Sequence, residues 1–75
     1  MSEGSTDFAV SDVEYNLVMT LSNLLQSEEV LDRYAKDADE AGETEVGDLF
    51  RGMREHNHQV GHQLRAALKR VIADN

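Results

Sequence analysis

The sequence predicts an all-α fold: a two-helix antiparallel hairpin that dimerises into a four-helix bundle. Three observations lead there. Apolar residues recur at helical spacing through two runs of about 30 residues each, too long for strands. One short break at Gly42-Glu43-Thr44 separates them, and so brief a connection turns the second helix back along the first. Finally, 75 residues without a single cysteine give a lone hairpin too little apolar surface to bury, so a second copy is needed to complete the core.

Residues 1–10 are small, acidic and polar without periodicity, and are expected to form a flexible acidic tail. Ser11-Asp12-Val13-Glu14 is a capping box that opens helix 1: the Ser11 hydroxyl binds the amide three residues on, and Glu14 reaches back. Val13, Leu17, Leu21, Leu24, Leu31, Ala35 and Ala38 then recur at steps of three, four or seven, flanked by Val18 and Leu25. Helix 1 is expected over about 12–41, with Gly42 as its left-handed cap and 42–44 as the loop. Thr44 is the expected N-cap of helix 2, over about 45–73, whose stripe runs from Val46, Leu49, Phe50 and Met53 to Val60, Leu64, Leu68 and Ile72. Gly61 borders that stripe, where a close helix approach would offset its cost of about 1 kcal/mol relative to Ala. Gly47 and Gly52 have no explanation at this level.

Composition narrows the function classes. Fifteen acidic against seven basic residues give a net charge of −8, which argues against nucleic acid or an anionic membrane surface as partner. The start MSEGSTDFAVSD has neither a basic segment nor an apolar run, so no signal peptide is expected and a cytoplasmic location follows. Acids crowd the loop end from Glu28 to Asp48, opposed by Arg33 and Lys36. Arg65, Lys69 and Arg70 lie at the other end beside Asp12 and Glu14. Nucleophilic catalysis and phosphate binding have no supporting motif.

Two polar residues interrupt the stripes. Glu28 falls between Leu24 and Leu31, and Asn57 between Met53 and Val60, at positions symmetric about the Gly42–Glu43 junction. In an antiparallel hairpin they share one level. Such residues fix register and oligomer state when hydrogen-bonded, as buried Asn does in coiled coils; the alternative is a metal or proton-binding centre. All three histidines lie in the stretch Arg54–His62. Glu55 and His58 are spaced i, i+3, and His58 and His62 i, i+4, which sets ligands suited to zinc or iron on one helix face. The helical wheel turns Glu55, His58 and His62 to the side opposite Met53, Asn57 and Val60. A surface histidine cluster is therefore the expectation, with zinc as the alternative.

The stretch from Glu28-Glu29-Val30-Leu31-Asp32-Arg33-Tyr34, through Asp37-Ala38-Asp39-Glu40-Ala41-Gly42, to Leu49-Phe50-Arg51 resembles the ferritin-like superfamily. Its tyrosine, Ala-Gly turn with an acidic pair and Leu-Phe are similar to rubrerythrins and the two-helix encapsulated ferritins. The resemblance covers about 35 residues. It implies a half-bundle that pairs with a second copy and, in metal-competent members, a di-iron ferroxidase centre at the dimer. The ligand positions depart from that pattern. The helix 1 glutamate, seven residues before the tyrosine, is Ser27 here, and the Glu-x-x-His would run from Asn57 to Val60. Glu55 and His58 come two residues early, a rotation of about 200°. The resemblance implies the fold and the dimer with a degenerate metal centre.

Asp37-x-Asp39-x-Ala41-Gly42-x-x-Glu45-x-x-Asp48 also follows an EF-hand loop in outline, but Ala at position five and Asp at twelve depart from it. The expected function is homo-oligomerisation or protein interaction without a di-iron centre, through a homodimer or higher even oligomer and the polar layer of Glu28 and Asn57. The alternative is binding of iron or zinc, or ferroxidase-type oxidation, at a dimer site drawing on Glu28, Glu29, Glu55, His58 and His62. A third reading is an adaptor whose acidic loop docks a basic protein partner.

Overall fold

The computed structural model describes residues 10–74, so the tail expected over 1–10 lies, Val10 apart, outside the described residues. The described chain forms two helices, α1 (Asp12–Glu40) and α2 (Thr44–Asp74), packed antiparallel as a hairpin. α1 starts where the capping box places it: the Glu14 amide donates to the Ser11 hydroxyl at 3.1 Å. It ends in a Schellman turn. The Glu43 amide donates to the Ala38 carbonyl at 2.8 Å and the Gly42 amide to that of Asp39 at 3.0 Å, with Gly42 at φ 82°. A side chain at Gly42 would be strained there, because the left-handed region crowds Cβ against the following carbonyl. Thr44 is not the cap of α2 but its first residue. The carbonyl of Glu43 accepts from the Gly47 amide at 3.0 Å, which moves the cap position back by one.

Small residues set the seam between the helices. Near the turn Ala35 and Ala38 are buried together with Gly47, and a Cβ on Gly47 would meet the Ala35 carbonyl oxygen at 3.2 Å. Halfway along, Gly61 is buried, with the space its Cβ would take bounded by Leu24 at 3.5 Å and Leu21 at 3.9 Å. Gly47 is thus where the backbones come close, whereas the neighbours of Gly61 are leucine side chains at ordinary contact distance, so the close approach expected there does not account for that glycine. Gly52 faces open space. Gly52→Ala is expected to stabilise the protein by about 1 kcal/mol through helix propensity alone, read as a raised urea midpoint.

Beside the turn, Arg51 ties the helices together. Its guanidinium donates to both Asp39 carboxylate oxygens, at 2.8 and 3.2 Å, and to Asp48 at 2.8 Å. The bonds from Arg51 hold the Asp39 carboxyl below its usual range, and Arg51 itself is raised by the same contacts. A carboxyl whose folded pKa is depressed contributes stability above its unfolded pKa and loses it as pH falls through the folded value. The melting midpoints of the wild type and Asp39→Asn should therefore differ at neutral pH and converge under acid. On the other flank Tyr34 packs on Phe50, ring centroids 5.7 Å apart, while staying 45% exposed.

Candidate functional site

The polar residues gather at mid-hairpin, where the seam has two edges. On one edge the Asn57 side-chain amide donates to the Ser27 hydroxyl at 3.3 Å, and that hydroxyl donates to the Leu24 carbonyl at 2.7 Å. On the other edge His58 Nδ1 stands 3.3 and 3.4 Å from the two Glu28 carboxylate oxygens. His62, one turn further along α2, packs edge-on against His58 with centroids 4.8 Å apart. The Glu28 side chain keeps only 14% of its exposure, against 53% for His58. A shallow cleft of about 170 Å³ opens there, bounded by Leu21, Leu25, Glu28, His58, His62 and Arg65.

This geometry corrects two expectations. Glu28 and Asn57 share a level but not a bond: each pairs with the residue one position over, Glu28 with His58 and Asn57 with Ser27. His58 and His62 do not sit on a face turned away from the hairpin, since both border the cleft beside Leu21 and Leu25. The reason is a rotation of α2. Its stripe is broad, and the part containing Val46, Leu49 and Met53 faces outward at 39%, 63% and 46% exposure. The true seam runs through Gly47, Asn57 and Gly61, which brings His58 to its edge. Glycines spaced by two heptads, at 47 and 61, were the available signal for that rotation.

Glu29 and Glu55 are exposed, and neither bonds Glu28 or His58; Glu55 meets Gln59 at 3.5 Å. Among the described residues, no three His, Asp or Glu side chains converge where a metal ion would sit. The EF-hand outline dissolves similarly, because Asp39 and Asp48 both bind Arg51. What the cluster holds is an imidazole–carboxylate pair at a seam edge, suited to relaying a proton or supplying two ligands. Glu28 disturbs an otherwise apolar row. Glu28→Leu should stabilise the protein by about 1 kcal/mol, seen as a higher urea midpoint, since His58 can turn to water.

The described residues are a helical hairpin with a polar interruption at mid-length, and none of their helices is long and apolar enough to cross a membrane. No family model matches the chain, and no curated protein or solved structure matches it.

Proposed function

We propose that this is a ferritin-like helical-hairpin protein that acts through homo-oligomerisation, two hairpins closing one four-helix bundle, without a competent di-iron centre. The observation that carries the reading is the shortage of core. Among the described residues only Leu31, Ala35 and Ala38 are buried hydrophobics, while ten large apolar side chains are 39–63% exposed. Two amphipathic helices of this length expose so much apolar surface only when something else covers it. The ligand positions that the resemblance implies support the second half of the reading. They hold Ser27, Asn57 and Val60, and the first two form a neutral hydrogen-bonded pair that offers a metal no carboxylate.

The metal-binding alternative has one observation in its favour, the Glu28–His58 pair. Its 3.3 Å separation is close to the edge of a tetrahedral zinc site, about 3.3 Å for bonds near 2.0 Å. Two ligands are too few unless a second copy supplies more. Native mass spectrometry of protein purified without chelator and supplied anaerobically with Fe(II), then with Zn(II), decides between them. A metal-free even oligomer is expected, and Glu28→Gln should leave it assembled. Stoichiometric metal that Glu28→Gln abolishes would favour the alternative.

A further inference from the structure

The two flanks of the hairpin differ in a way that names the docking face. At about 100° per residue, one flank of the seam carries Ser27, Val30 and Tyr34 on α1, and Phe50, Met53 and Val60 on α2. Between Asn16 and Tyr34 on α1, and between Val46 and Val71 on α2, no residue of this flank is charged. In a chain that is 29% charged, an uncharged strip of that length, polar but neutral at Asn16, Thr20, Asn23 and Ser27 and apolar at Val30, Tyr34, Phe50 and Met53, is the flank that costs least to desolvate. Leu49 and Met53 stand on its rim, 63% and 46% exposed. The opposite flank is crowded with Glu28, Asp32, Asp39, Arg51, Arg65 and Lys69.

Charge along the hairpin sets the direction of approach. Asp37, Asp39, Glu40, Glu43, Glu45 and Asp48 surround the turn, whereas Arg65, Lys69 and Arg70 lie toward the open end. Among the described residues, none of those three bases has a carboxylate within ion-pair distance. Two hairpins laid turn beside turn would bring both acidic ends together. Laid turn beside open end, each acidic turn meets the partner's bases, and like-charge contact is avoided.

We infer that a second copy docks on the uncharged flank of Val30, Tyr34, Phe50 and Met53, with the turn of each hairpin beside the open end of the other. This rests on the oligomerisation reading above and specifies its face and direction. The absence of cysteine makes the test clean, because one introduced thiol gives one label per chain. Spin labels on Glu43→Cys, an exposed turn position, should lie about 40 Å or more apart in the dimer, close to the length of α1. Turn-beside-turn packing would instead put them within about 20 Å, a few interhelical spacings.

The face is tested separately with two exposed leucines. Leu49→Glu, on the uncharged rim, should raise the dimer dissociation constant tenfold or more. Leu25→Glu, beside the Glu28–His58 cleft, should leave it within about threefold. A short label distance overturns the direction, and the reverse ranking of the two leucines overturns the face. A chain that stays monomeric at all concentrations overturns the oligomerisation reading itself, and this inference with it.

Discussion

Gly47→Leu should lower stability by about 2–3 kcal/mol, although leucine is much the better helix former. The helices come closest here. A Cβ at this position abuts the Asp39 carboxylate, stands 3.0 Å from Arg51 Nη2 and 3.2 Å from the Ala35 carbonyl oxygen. The first two are ends of flexible side chains and can swing away. The third belongs to the backbone of α1, and it yields only if the helices part. Leucine adds three further carbons to a seam already filled by Ala35 and Ala38, both buried. It also displaces the Arg51–Asp39 fork that ties the turn. Urea unfolding followed by circular dichroism reads the effect. Gly52→Ala serves as the opposite-sign control on the same helix, since nothing lies within 4 Å of its Cβ. An unchanged midpoint for Gly47→Leu would mean that the backbones do not approach at this point.

Much of the hairpin was legible in the sequence because its signals are local. The Ser11 cap, the glycine at 42 and the 3.6-residue period each act within a few residues and have visible counterparts in the structure, whereas the return bond of the capping box from the Glu14 side chain does not form. Symmetry about the turn also placed Glu28 level with Asn57, where the observed pairs Ser27–Asn57 and Glu28–His58 straddle that level. Rotation about the helix axis was not legible in the apolar pattern; only the glycine spacing carried it. α2 carries its large apolar residues over an arc of about 140°, and periodicity alone cannot divide such a stripe between a seam and an outward face. Centring it on Met53 and Val60 turned His58 away from the hairpin. Centring it on Gly47 and Gly61 turns His58 toward Glu28. Gly47 carries no hydrophobic signal, so a pattern built on apolar residues passes over the point where the backbones approach. The polar layer illustrates the consequence: the level was right, and the partners were one residue off.

The second large effect is on the concentration dependence of folding. Among the described residues one hairpin buries one leucine and two alanines and leaves ten large apolar side chains partly in water. Domains of this size rarely gain more than about 3–5 kcal/mol from a single core, and this core is thinner than most. If a second copy supplies the rest, folding and association are one transition, and stability depends on protein concentration. A hundredfold dilution then removes about 2.7 kcal/mol per dimer. For a two-chain unit of about 150 residues, that corresponds to a fall in melting midpoint of roughly 5–10 °C. The most direct measurement is thermal unfolding by circular dichroism across a hundredfold concentration series, with sedimentation equilibrium at its upper end. The expected result is a midpoint that falls by that amount on dilution and a sedimenting mass of two chains or a higher even number. A midpoint fixed across the series, with the protein sedimenting as a single chain, would contradict it.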